Sequence, residues 1–238
     1  MADSQTVPHS VALVVGAGGG LGAALVAELS QSHGTVLALG RTTQPAIDFS
    51  DEASIASAAA WVAAECQRLQ GELRLIVVAS GFLHGAAGQP ERSWSQLSPD
   101  YLQQVFLVNT IGPALLMKHL LPLLPKQGRC VAAFISAKVG SIGDNALGGW
   151  YGYRASKAAL NQLVKTASIE LARRNRQALC VAVHPGTVDT ALSQPFSKTG
   201  LNVRPPAQAA REILTVLQQL PLDATGQLVD YQGQTLPF

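Results

Sequence analysis

Residues 11–26 read V-A-L-V-V-G-A-G-G-G-L-G-A-A-L-V. A short valine-rich run breaks at a cluster of glycines and resumes as an alanine- and leucine-rich pattern. The spacing predicts a strand over 11–15, a glycine turn over 16–22 and a helix over 21–32. The nearly uncharged run 11–29 has the length of a membrane span, but G-A-G-G-G-L-G in its middle would weaken a spanning helix. A glycine turn that opens a helix gathers backbone N–H groups at the positive end of the helix dipole. That arrangement suits a diphosphate. Gly16, Gly20 and Gly22 give G-x-x-x-G-x-G, with Leu21 where a G-x-G-x-x-G motif counted from Gly16 would carry its third glycine. These four residues are candidate cofactor contacts.

Outward from this unit the alternation continues. Further strands are expected at 35–39, 73–79, 129–135, 179–184 and 227–230. Further helices are expected at 53–69, 99–121, 150–174 and 206–219. Strands alternating with helices predict a parallel sheet wrapped on both faces, a doubly wound α/β domain with right-handed crossovers. Residues 41–51 are too few for a full helix, so the second crossover is expected to be abbreviated. The least regular stretch, 190–205, is the candidate substrate loop. Residues 115–124 contain Lys118 and Pro122 and read as a packing helix rather than a membrane anchor.

Composition narrows the class. Of 238 residues, 47% are hydrophobic and 13% charged, which demands extensive burial and excludes a disordered chain. The formal net charge of +2 argues against a nucleic-acid or anionic-membrane partner. Cys66, Cys130 and Cys180 are scattered, with no metal or redox spacing, and are expected as buried reduced thiols of a cytoplasmic protein. Residues 1–10 lack the basic start of a secretion signal.

Two further features carry chemistry. After the second strand, V-L-A-L-G-R ends on Arg41, and no acid lies between Gly34 and Gln44. A free ribose 2′-hydroxyl is usually met there by a carboxylate, whereas arginine pairs with a 2′-phosphate. NADP is therefore favoured over NAD. Farther on, G-G-W-Y-G-Y-R-A-S-K-A-A-L-N spans 148–161. Tyr153 and Lys157 are four apart and share a helix face, while Tyr151 falls well round the helix. An ammonium beside a phenol lowers its pKa and equips it to exchange a proton with a carbonyl oxygen or an alcohol.

The G-x-x-x-G-x-G turn, Asn109 in V-N-T-I-G-P, the Y-x-x-x-K pair and H-P-G-T-V-D-T follow one another in order over the whole chain. In this the sequence resembles the short-chain dehydrogenase/reductases, and 136–161 looks like the branch of the bacterial C-factor and sniffer-type carbonyl reductases. The resemblance implies a single Rossmann domain over 1–238, with a sheet of about seven strands. It also implies an NADP(H)-dependent oxidoreductase acting on a carbonyl or secondary alcohol. Tyr153 would be the general acid/base, Lys157 would hold the nicotinamide ribose and lower the phenol pKa, and Asn109 would support a water-linked proton relay. Asp48 would meet the adenine edge. Pro185, Gly186, Val188 and Thr190 would line the nicotinamide end. The helices carrying Asn109 and Tyr153 would form a homodimer or homotetramer interface.

Two departures stand out. The family serine three before the glycine of S-S-x-x-G falls on Ala137, leaving Ser136 as the expected hydroxyl and Ser141 as the fallback. At 78–81, V-A-S-G replaces N-N-A-G, with Gly81 retained at the cofactor turn. Trp150 and Tyr151 are expected at the active-site entrance, with Trp94 and Phe196 lining the cavity. His84 is a candidate substrate contact, and His184 a structural histidine. The missing serine leaves a second reading, an NADP(H)-binding regulatory protein with little turnover.

Overall fold

Strand β1 (His9–Val15) is buried from Val11 onward, and its side chains divide between two cores. Val11, Leu13 and Val15 enter one cluster, Ala12 and Val14 the other. A strand reads as continuously apolar when helices cover both faces of its sheet. In the computed structural model, which describes residues 9–32, 34–196 and 202–238, that is the arrangement.

After β1 come α1 (Gly20–Ser32), β2 (Thr35–Leu39), α2 (Glu52–Arg68) and β3 (Gly71–Val78). Then follow α3 (Pro99–Phe106), a π-helical turn (Leu107–Ile111), α4 (Gly112–Leu120), β4 (Cys130–Ile135), α5 (Tyr151–Arg174) and β5 (Ala178–His184). The chain closes with β6 (Thr187–Val188), β7 (Val203–Arg204), α6 (Pro206–Gln219), β8 (Leu228–Asp230) and β9 (Thr235–Leu236). The main sheet has seven strands in the order β2-β1-β3-β4-β5-β8-β9. All neighbours are parallel except β8 and β9. A separate two-stranded ladder joins β6 to β7. The expected doubly wound Rossmann architecture is present.

Helices α1 and α6 cover one face through Leu25, Leu29, Ile213 and Leu217. Helices α2, α4 and α5 cover the other through Ile55, Leu116, Leu120, Leu160 and Val164. Residues 41–51 hold no helix, yet the second crossover is not abbreviated, because the 17 residues of α2 carry it. Asp51 caps that helix by accepting the Ala53 N–H at 3.0 Å. Cys130 and Cys180 are buried, but Cys66 is only partly so.

The single long helix expected at 99–121 is interrupted at Asn109. Pro113 has no N–H to offer the Asn109 carbonyl one turn back, and the Gly112 N–H reaches five residues back to Leu107. The stretch Pro99–Leu123 is long and apolar enough to cross a membrane, but Tyr101, Val105, Leu116 and Leu120 along it are buried in the protein's own cores. Of the candidate substrate loop, residues 197–201 lie outside the described residues, as do residues 1–8 of the amino terminus.

Candidate active site

The sheet order reverses at β1, between β2 and β3, and in a parallel sheet this opens a crevice at the carboxyl ends of the strands. The glycine turn sits there. Gly16 has φ +87°, and a Cβ on it would stand 2.7 Å from the Ser80 nitrogen beyond β3. A Cβ on Gly22 would overlap the Gly16 carbonyl oxygen. The turn is tied down by Gly16 and Ala17 N–H groups donating to the Leu39 carbonyl at 2.8 and 3.1 Å. Gly20, Leu21 and Gly22 are the first three residues of α1, whose amides have no acceptor one turn back within the helix. Side-chain-free backbone and helix-end amides fit a diphosphate. The exposed Arg41 follows the end of β2, close to this turn. Asp48 is also exposed, and accepts from the Ser50 hydroxyl at 2.6 Å and the Ser50 N–H at 2.8 Å. These bonds hold its carboxyl below the usual range. Gly81 is exposed just past β3.

Helix α5 lays Tyr153, Lys157 and Asn161 along one line facing the end of β4. Tyr153 and Lys157 are both buried. Lys157 Nζ donates to the Ile135 carbonyl at 2.9 Å and lies 5.9 Å from the centre of the Tyr153 ring. Burial pushes the ammonium down to about 8 and the phenol up to about 12. The expected lowering of the phenol by Lys157 is therefore not seen; loss of solvent dominates.

Asn109 bridges elements behind this pair. Its Oδ1 accepts from the Phe82 N–H at 2.8 Å, and its Nδ2 donates to the Phe82 carbonyl at 2.9 Å and to Ser156 Oγ at 3.1 Å. Ser156 Oγ in turn donates to the Tyr153 carbonyl at 2.8 Å. Thus Asn109 joins the loop after β3 to α5 through Ser156.

The serine expectation meets a different arrangement. Ser136 Oγ donates to Asn161 Oδ1 at 2.7 Å, buried under α5. Ala137 is the residue that packs in a cluster with Tyr153, Leu83, Tyr101 and Val105. Successive side chains at an extended strand end face opposite ways, so one of the two must turn from the phenol. Ser141 is also buried, its hydroxyl accepting from the Asp144 N–H at 3.0 Å.

Aromatic rings gather near Tyr153. Trp150 stands edge-on to Tyr153 at 6.0 Å and to Phe196 at 5.2 Å. His84 meets Phe196 edge-on at 5.4 Å, and its Nε2 lies 3.0 Å from the Ala191 carbonyl oxygen. Trp94, by contrast, is 76% exposed and outside this cluster. Tyr151 sits half-exposed at the helix start.

At the other end of the crevice Gly186 has φ +69° and lies against a buried arginine that the sequence did not single out. Arg204 donates to the Pro185 carbonyl, pairs with Glu212 at 2.5 Å and stacks 3.3 Å over Tyr231. Its backbone pairs with buried Val188 in the small ladder. Thr190 follows, near enough that a Cβ on Gly20 would meet its Cγ2 at 2.9 Å. Thr190, late in the chain, is thus brought beside Gly20 at the start of α1. His184 Nδ1 has no partner among the described residues, and burial pushes its pKa down to about 4. Among the described residues no three His, Cys, Asp or Glu side chains gather to hold a metal ion.

A doubly wound sheet with a glycine turn at its reversal and a buried Tyr–Lys pair at the end of β4 describes a dinucleotide-dependent oxidoreductase. The chain belongs to the short chain dehydrogenase family, whose model matches residues 10–200, and it is an enzyme of that class. The C-signal protein of Myxococcus xanthus is 32% identical over 137 residues, 58% of this chain and 78% of that protein. An NADPH-bound carbonyl reductase from chicken fatty liver is 26% identical, with a TM-score of 0.81 over 98% of this chain and 100% of that one. The Sniffer carbonyl reductase of D. melanogaster is 23% identical with a TM-score of 0.77, at the same coverages, and shares the fold.

Proposed function

We propose that the protein reduces apolar carbonyl compounds with NADPH, using Tyr153 as the proton donor. The observation that carries this reading is the buried Tyr153–Lys157 pair at the end of β4, with the Trp150 ring edge-on to the phenol. NADPH bound there would supply hydride to the substrate carbon. Gly16, Gly20, Leu21 and Gly22 would hold its diphosphate, Arg41 its 2′-phosphate and Asp48 its adenine. Gly81, Pro185, Gly186, Val188 and Thr190 would border the rest. A phenol held at about 12 keeps its proton at neutral pH and is equipped to give it to a carbonyl oxygen. Lys157 would hold the ribose, and Asn109 would carry the proton relay behind it. The rings of Trp150 and Phe196 near Tyr153 favour aryl or alkyl ketones over sugars. Assembly as a homodimer or homotetramer and a cytoplasmic location complete the proposal.

The test is NADPH oxidation with a panel of aldehydes and ketones, in the wild type and Tyr153→Phe. The variant is expected to lose on the order of 1,000-fold in kcat; equal rates would overturn the role of Tyr153. In the same assay Arg41→Ala should weaken NADPH roughly 10- to 100-fold, as expected for loss of a charge-assisted contact, and leave NADH nearly unchanged.

A further inference from the structure

The first turn of a helix leaves N–H groups that need outside acceptors. An N-cap serine, threonine or aspartate usually provides one. Helix α5 begins differently. Its N-cap is Trp150, which has no acceptor, and its first turn holds no acid. The acceptor arrives from 61 residues away. Both carboxylate oxygens of Glu91 accept from the Gly152 N–H, at 3.2 and 3.1 Å. The Glu91 backbone carbonyl accepts from the Trp150 N–H at 2.5 Å. Glu91 is only 2% exposed, and no sequence motif includes it.

The fit is close. A Cβ on Gly152 would come within 3.1 Å of Glu91 Oε1 and 3.0 Å of Tyr101 Cε1. The approach to the helix is bent sharply, with φ of +65° at Gly148, +65° at Gly149 and +55° at Trp150. For tryptophan that left-handed conformation is strained and must be held by its surroundings. Arg154 holds the outer side, donating to the Gly149 carbonyl at 2.9 Å and the Gly148 carbonyl at 3.1 Å. Glu91 holds the inner side. Tyr153 is the next residue after Gly152, and the Trp150 ring is the wall beside it.

We infer that Glu91 is a positioning residue for Tyr153, acting through the first turn of α5; the inference rests on the reading of Tyr153 as the proton donor. A negative charge at the positive end of the helix also stabilises that turn. The test compares Glu91→Ala and Glu91→Gln with the wild type in kcat, substrate KM, NADPH Kd from nucleotide fluorescence, and amide hydrogen exchange at Gly152 and Tyr153. Glu91→Ala is expected to lower kcat by on the order of 10- to 100-fold, the scale of a small misplacement of a reacting group. KM and NADPH Kd should stay within about twofold, a change too small to signal a lost binding contact, and exchange at Gly152 should speed up. Glu91→Gln keeps an acceptor oxygen and should recover part of the rate. Unchanged kcat in Glu91→Ala, unchanged exchange at Gly152, or equal losses of kcat and NADPH binding in both variants would each overturn the inference. Should the wild type reduce no carbonyl on the panel, the proposed function fails, while the exchange measurement still decides whether Glu91 holds the turn.

Discussion

Lys157 shows at the scale of one residue how a site works against stability. Its ammonium is buried and pushed from 10.5 down to about 8. The folded protein therefore binds this proton less tightly than the unfolded chain does. The penalty is full below pH 8 and fades as pH rises from about 8 to 10.5, by on the order of 3 kcal/mol in all. Measured against Lys157→Met by chemical denaturation, the wild type should gain stability relative to the variant across that window. A difference that does not change with pH would contradict the burial assignment. The pair Tyr153 and Lys157 was legible because helical spacing alone puts positions four apart on one face. Glu91 was not, since nothing local marks a carboxylate whose partner N–H is 61 residues away.

Between β4 and α5 the relation is one of register. Ala137 packs in the buried cluster that holds Tyr153, the Ile135 carbonyl takes Lys157, and Ser136 takes Asn161. Counting from a family motif finds the strand end, but the choice between adjacent residues depends on which face of the strand each occupies. That is why Ser136 looked suited to the substrate in the sequence and lies under the helix in the fold. Ala137→Ser should add a hydroxyl beside the phenol and raise kcat about tenfold or more. Ser136→Ala should cost about 1–3 kcal/mol of stability by leaving Asn161 unpaired. Rate assays and thermal melts separate the two; a rate loss in Ala137→Ser, or a melt unchanged in Ser136→Ala, would reverse the assignment. The elements themselves were mostly legible, because apolar periodicity is strong over long segments. The two-residue strands β6, β7 and β9 are too short to carry a period, and the π turn at Asn109 needs the packing around it to be recognised.

Over the whole molecule the exposed apolar side chains bear on assembly. Ile111 follows Asn109 at the π turn, Ile169 lies on α5, and Leu147, 92% exposed, stands just before it. Such residues on and beside the elements that carry Asn109 and Tyr153 are consistent with the proposed self-association. Light scattering on the purified protein should give the mass of a dimer or tetramer, and Ile169→Glu should lower it; a wild-type monomer at micromolar concentration would end that part of the proposal.

The strand order has a consequence for how the chain comes into being. Once β2 has paired on one side of β1, each later strand of the main sheet joins the opposite edge in the order it is made. A ribosome delivering the chain from its amino end thus supplies strands in the sequence their places require. The glycine turn can close between β1, β2 and the residues after β3 before α5 exists. The glycine turn would then take shape on a nascent half-sheet, and Tyr153, Lys157 and the residues after β5 would join it only later.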